Sequence, residues 1–193
     1  MNPAIPGLKL LVLDMQETLM AALPESGELI ARNLFAIRCA RLLGLPVAFT
    51  EQAPDKLGGI LPALLDAAGR AEGEPVAVFN KNCFSAWENE TVRDFLAPRG
   101  EPAPHILLAG IETPICVYQT AISILSEDGE VTVLTDALGS RRPEDGVNAL
   151  RALAVAGAHC LPVETIIYSI LGTAEHESFR EFTRLVKEAG VSA

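Results

Sequence analysis

Paired cysteines, clustered histidines, basic tracts and long apolar runs are all missing from this chain of 193 residues. Its four cysteines, Cys39, Cys83, Cys116 and Cys160, form no C-x-x-C pair. Its three histidines, His105, His159 and His176, show no zinc-type spacing. Neither a P-loop nor a G-x-G-x-x-G phosphate loop is present, and no G-x-S-x-G elbow offers a nucleophilic serine. The 15 Lys and Arg are scattered against 25 Asp and Glu, for a formal net charge of -10, and the only dense basic pair is Arg141-Arg142. That balance argues against nucleic acid or an anionic membrane as partner, and the surplus acid reads as a solubility feature. Met1–Gly7 lacks a basic n-region, and the apolar run Leu8–Leu13 stops at Asp14, too short for a signal peptide or a spanning helix. The expectation is a reducing, cytoplasmic compartment with free thiols and no membrane partner.

What is present suits one well-buried core. Hydrophobic residues make up 49% and charged residues 21%, with no repeat and no low-complexity segment, so residues 1–193 are expected to form a single domain. Short apolar runs alternate with segments of helical period. Strands are predicted at Leu8–Leu13, Pro46–Thr50, Pro75–Phe79, His105–Ala109, Glu130–Thr135 and His159–Val163. Helices are predicted at Glu28–Leu43, Ile60–Ala68, Thr91–Leu96, Pro114–Glu127, Pro143–Ala156, Glu164–Leu171 and Glu175–Glu188, with Gly44 and Gly157 as stop signals.

Six nearly unbroken apolar strands separated by helices imply a parallel sheet covered on both faces. Right-handed crossovers then give an α/β fold, a three-layer α/β/α sandwich, for which the commonest strand order is 3-2-1-4-5-6. In that order the first and fourth strands are neighbours, and the crevice at their carboxyl ends is the expected ligand site. Asp14 ends the first strand and Gly110–Cys116 follows the fourth, so both meet at this switch point.

Thr113 suits an N-cap and Pro114 the first helical position, which places Cys116 in the first turn of a helix. Unpaired backbone N–H groups and the helix dipole there favour thiolate, and the same N–H groups can stabilise an oxyanion. Against this stands the commoner role of a lone cysteine as a small buried hydrophobe.

Three blocks carry a family resemblance. They are Asp14-Met15-Gln16 after the first strand, Lys81 with Phe84-Ser85-Ala86-Trp87 after the third, and Gly110-Ile111-Glu112-Thr113-Pro114-Ile115-Cys116-Val117 after the fourth. Together they resemble the signature blocks of the isochorismatase-like cysteine hydrolases. Thr50-Glu51-Gln52 and the tail Glu164-Thr165-Ile166-Ile167 through Phe179 look closest to the isochorismatase domain-containing subgroup. The likeness runs from about Leu8 to Glu188.

The resemblance implies a catalytic triad of Asp14, Lys81 and Cys116. Cys116 attacks an amide-like carbonyl to give a thioester acyl-enzyme, Asp14 moves the proton, and Lys81 holds charge beside both. It further implies a cis peptide at Ile111–Glu112 with an oxyanion hole built around Ile111, Glu112 and Cys116. Gln16, Gln52, Phe84, Trp87 and Thr113 would line the pocket for a small-molecule substrate, although Phe84 and Trp87 fit a core equally well. The pattern of strands does not itself place Lys81, because the third strand lies two positions from the first and a loop must bring the lysine back. Relatives form homo-oligomers from dimer to octamer, and the two C-terminal helices are plausible interface elements.

Two departures bear on specificity. Nicotinamidase-like relatives bind a metal through an Asp-x-His arrangement where this chain reads Thr50-Glu51-Gln52-Ala53, so no catalytic metal and no other cofactor are expected. Pro114 stands where subgroup members often carry histidine. Cys83 is close enough in sequence to Lys81 to reach the site but fits a bystander better. Arg141 and Arg142 fit an anionic substrate, a neighbouring subunit or a solvated loop, the last being the plainest. Three functions therefore stand: a metal-independent cysteine amidohydrolase, a catalytically silent binding or scaffold protein on the same fold, and a redox-responsive thiol protein using Cys116 with Cys83.

Overall fold

Leu8–Leu13 forms β1, buried along its whole length, in a computed structural model that describes residues 7–24 and 26–190. The N-terminal segment before Gly7 lies outside the described residues. The other strands are β2 (Val47–Gln52), β3 (Ala77–Lys81), β4 (His105–Ile111), β5 (Glu130–Gly139) and β6 (His159–Leu161). All pair in parallel in the order β3-β2-β1-β4-β5-β6, the order expected from the sequence. The helices are α1 (Glu17–Met20), α2 (Ser26–Leu42), α3 (Pro54–Leu57), α4 (Pro62–Ala67), α5 (Glu90–Leu96), α6 (Tyr118–Ser126), α7 (Pro143–Val155), α8 (Val163–Leu171) and α9 (Phe179–Glu188).

Side chains on a strand alternate between faces, and β1 shows what this builds. Leu8, Leu10 and Val12 enter one core with α2, α8 and α9, including Phe35, Ile37, Ile167 and Phe182. Leu11 and Leu13 enter the other with α5, α6 and α7, including Leu96, Ile124 and Leu153. Burying a leucine fully is worth about 1.5–3 kcal/mol, so both faces must be covered for the sheet to hold. Gly44 closes α2 as predicted. At φ +69° its N–H donates to the Arg41 carbonyl at 2.9 Å, and the Leu45 N–H to that of Ala40 at 2.9 Å.

Several boundaries move. β3 begins two residues later than expected and ends on Lys81, because the Pro75-Val76 approach reads like a strand but lies before it. β2 runs on to Gln52. β5 extends to Gly139 through a register break against β4 between Leu108 and Gly110. The last helix starts at Phe179 instead of Glu175, and residues 175–178 form turns.

β1 and β4 approach closely at their carboxyl ends, where Leu13 pairs with Gly110. Gly110 has φ +100°, and a Cβ there would lie 2.2 Å from the Leu13 carbonyl oxygen. Only glycine fits both the dihedral and the space. The residues just past this pair are Asp14 on one strand and the cysteine block on the other.

Candidate active site

Asp14 leaves β1 with φ +52°, its N–H donating to the Thr50 carbonyl at 3.1 Å. Its carboxylate is buried, with 1% of the residue exposed. Oδ2 accepts from Lys81 Nζ at 2.8 Å and Oδ1 from the Thr50 hydroxyl at 2.7 Å. Thr50 entered the sequence pattern only within the segment Thr50-Glu51-Gln52, with no role of its own at the site. It lies within β2, paired in register with Leu13, one strand from Asp14.

Lys81 needs no loop to bring it back. It is the last residue of β3, in register with Gln52. The strand separation of β3 from β1 is roughly 9–10 Å, two spacings, which an extended lysine and an aspartate bridge between them across the end of β2. Nζ lies 3.6 Å from the Cys116 sulfur, so the three members of the predicted triad converge. The aspartate–lysine pair is sealed from solvent, where removing one charge would leave the other uncompensated.

Cys116 sits in a single π-type turn, Thr113–Val117, that leads into α6. Both the Ile115 and Val117 N–H groups donate to the Glu112 carbonyl at 3.1 Å. The turn thus starts at Glu112, and Thr113 is not its cap; the Thr113 hydroxyl donates instead to the Gly139 carbonyl at 2.9 Å. The Ile111–Glu112 peptide bond is cis. Arg141 reaches back to pair with the Glu112 carboxylate, tying the β5–α7 loop to the cysteine turn, so this arginine is not merely solvated. Arg142 stands at 4.0 Å from Asp145 on an exposed surface.

The expected thiolate is not what this environment favours. Burial first, then the Asp14 carboxylate, push the Cys116 thiol up to about 12, against the pull of Lys81. Desolvation of a residue only 7% exposed, with the carboxylate beside it, outweighs the ammonium. Cys116 therefore rests as a neutral thiol, with the Asp14 carboxylate within hydrogen-bonding reach.

The predicted pocket residues divide. Phe84 is 56% exposed, its carbonyl 3.5 Å from Lys81 Nζ, so its ring stands at the rim of the site. Trp87 is 3% exposed and belongs to the core under α5 and α6. The turn Ala86–Glu88 is pressed there by bonds from the Ala86 N–H to Thr120 Oγ1 at 2.8 Å and from Ser85 to Ser123 at 2.9 Å. Gln16 is fully buried and is not a wall. It braces the end of β2, accepting from the Gln52 N–H at 2.8 Å and donating to the carbonyls of Gln52 and Gly58. Gln52 turns its side-chain oxygen to Lys81 at 2.7 Å. Thr113 is buried and borders a cavity of about 380 Å³ on the β5 side of the cysteine turn, with Arg32, Asp136 and Ser140. A smaller cavity of about 190 Å³ between residues 53–56 and 80–82 abuts Lys81.

Cys39 is buried and Cys160 and Cys83 are half-buried; all are free. Among the described residues no group of three or more His, Cys, Asp and Glu is gathered as a metal site. His105 and His159 lie together at the amino ends of their strands, ring centroids 6.4 Å apart, away from the triad. No helix among the described residues is long and apolar enough to cross a membrane.

A parallel sheet that delivers a buried carboxylate, ammonium and thiol to one switch point defines a class of α/β proteins with hydrolases among its members. The isochorismatase domain model matches residues 9–165, and the chain belongs to that family. Human isochorismatase domain-containing protein 2 is 35% identical over 188 residues, covering 95% of this chain and 85% of that one. Among solved structures, one titled MAR1 ribonuclease from Caenorhabditis elegans is 30% identical, with TM-score 0.85 over 97% of this chain and 92% of that one. The Escherichia coli YcaC protein, described as an octameric hydrolase of unknown specificity, shares the fold at TM-score 0.79 and 19% identity, covering 99% of each chain.

Proposed function

We propose that the chain is a single-domain, metal-independent cysteine hydrolase that cleaves an amide-like C–N bond of a small molecule. The observation that carries this is the convergence of Lys81 on Asp14 Oδ2 at 2.8 Å and on the Cys116 sulfur at 3.6 Å. Asp14 takes the thiol proton as sulfur bonds to the carbonyl carbon, and backbone N–H groups of the turn around Ile111, Glu112 and Cys116 receive the oxyanion. Collapse breaks the C–N bond, and Asp14 returns the proton to the leaving amine. Water then attacks the thioester with Asp14 again accepting a proton, which releases the acid and restores the thiol. Lys81 stays charged throughout and offsets the developing thiolate.

The partner is a small molecule and no cofactor is needed. The net charge of -10 weighs against an RNA substrate of the kind named for the Caenorhabditis elegans neighbour. The free thiols support a cytoplasmic location. A homo-oligomer, from dimer to octamer, accords with the octamer described for YcaC. Within it α9 has its Phe182 and Leu185 already buried in its own chain, which leaves the exposed side of α8, with Tyr168, as the better interface element. The second reading, a catalytically silent protein on this fold, draws on the neutral, buried state of Cys116.

Screening small amides, ureas, imides and nitriles, with Cys116→Ala as control, tests the reading. Turnover that disappears in the variant, with an acyl adduct on Cys116 seen by mass spectrometry, is expected. Turnover that survives Cys116→Ala rejects the cysteine mechanism, and its absence from the wild type across the panel favours the silent protein.

A further inference from the structure

Lys81 has three N–H bonds and five acceptors around it. Gln52 Oε1 stands at 2.7 Å and Asp14 Oδ2 at 2.8 Å, while the Cys83 and Phe84 carbonyls and the Cys116 sulfur follow at 3.3, 3.5 and 3.6 Å. The two short bonds fix where the ammonium points. The third N–H is left for the sulfur and the two carbonyls. One of the two bonds that aim Lys81 therefore comes from a side chain outside the triad.

Gln52 is itself held at three points. Its Nε2 donates to the Asn82 carbonyl at 3.2 Å, its backbone N–H to Gln16 Oε1 at 2.8 Å, and its own carbonyl accepts from Gln16 Nε2 at 3.1 Å. The end of the amide that faces the Asn82 carbonyl must be the donor, so the oxygen faces Lys81. We infer that Gln52 is a positioning residue whose neutral side-chain oxygen holds the Lys81 ammonium against Asp14 and Cys116 without drawing off its charge.

The need for a neutral acceptor is electrostatic. Lys81 and Asp14 sum to zero charge, and loss of the thiol proton onto solvent makes the cluster negative. A second carboxylate at the position of Gln52 would add one more negative charge beside a thiolate that burial already disfavours. It would also set a carboxylate oxygen against the Asn82 carbonyl, where the amide now donates. An amide supplies the bond with neither penalty. The purpose of this arrangement rests on the cysteine-hydrolase reading; the arrangement itself does not.

The test is iodoacetamide labelling of Cys116, followed by peptide mass spectrometry on the folded protein from about pH 7 to about pH 10. Wild type, Gln52→Glu and Gln52→Leu are compared, with Cys160 as internal control. Gln52→Glu is expected to label Cys116 roughly tenfold more slowly at every pH, a parallel displacement of the profile. Gln52→Leu, which frees the ammonium to tilt without adding charge, is expected to slow it several-fold, with Cys160 unchanged in both. Wild-type Cys116 rates in both variants, or equal slowing of Cys160, overturn the assignment. The readout is the thiol and not turnover, so a failed substrate screen would count against the hydrolase and leave the Gln52 result standing. Turnover that needs Cys116 but is indifferent to both Gln52 variants would do the reverse.

Discussion

Thr50 and Asp14 meet across the ends of β2 and β1, the threonine hydroxyl donating to Asp14 Oδ1 at 2.7 Å while Lys81 takes Oδ2. Each carboxylate oxygen thus has its own donor, and the group is held from both sides. Thr50→Val removes one donor from a buried charge and keeps the shape. It is expected to cost about 1–3 kcal/mol, read from urea unfolding, and to lower kcat with little change in KM. Thr50→Ser should recover most of both.

The pH behaviour of Cys116 separates a resting thiol from a preformed thiolate. With burial and Asp14 pushing the group up to about 12, its alkylation rate should climb about tenfold per pH unit from about pH 7 to about pH 10, with no plateau. A plateau beginning near neutrality would show instead that the ammonium and the helix end prevail over desolvation.

Cys39 gives a stability prediction of the same origin. Burial first, then Glu164, push its thiol up to about 12 in the folded chain. An unfolded cysteine ionises near about 8.5. Below that pH both states keep the proton. Above it the unfolded chain releases the proton while the native one retains it, so stability falls with rising pH by about 1.4 kcal/mol per pH unit per such thiol until about 12. Cys116 contributes in the same direction. Unfolding free energies at about pH 8 and about pH 10.5 should diverge less in Cys39→Ala than in wild type, whatever that variant costs at neutral pH.

Gly110→Ala should be among the most damaging single changes available. Its methyl would fall 2.2 Å from the Leu13 carbonyl oxygen and 2.7 Å from the Leu13 nitrogen, both backbone, at φ +100°. Strand separation is the only relief. A loss of more than about 3 kcal/mol, seen as insoluble protein or a collapsed Tm, is expected. A folded variant of near-normal Tm would refute the close-approach argument.

Most of the fold was legible because parallel strands buried on both faces read as continuous apolar runs, and because right-handed crossovers leave few orders open. β1 was read to the residue, since Asp14 ends its apolar run abruptly. β3 was not. Pro75 and Val76 mimic a strand start, and the true strand is an edge with alternating exposure, so the apolar signal is weak there. That two-residue error hid the simplest fact about Lys81, its place on the strand itself. Cys116 was found for a reason only partly right: the turn exists, but it begins at Glu112, and burial reverses the expected ionisation. Thr50 and the bracing roles of Gln16 and Gln52 depend on side chains crossing between strands, which no spacing along one chain encodes. Trp87 has the same apolar character in a core as in a pocket, and only its bonding neighbours Ala86 and Ser85 decide between them.

The Leu13–Gly110 register has one more consequence. Asp14 and the Cys116 sulfur are spaced by the backbone hydrogen bonds of the two central strands, which are buried on both faces and are expected to open last. Surface helices and the loops around residues 53–61 can fray or diverge without altering that spacing. Heating should therefore leave the chemistry intact until the whole domain melts, with inactivation and loss of secondary structure tracing one curve. By the same token, descendants of this sequence are free to rewrite the rim while inheriting the Asp14–Cys116 spacing unchanged.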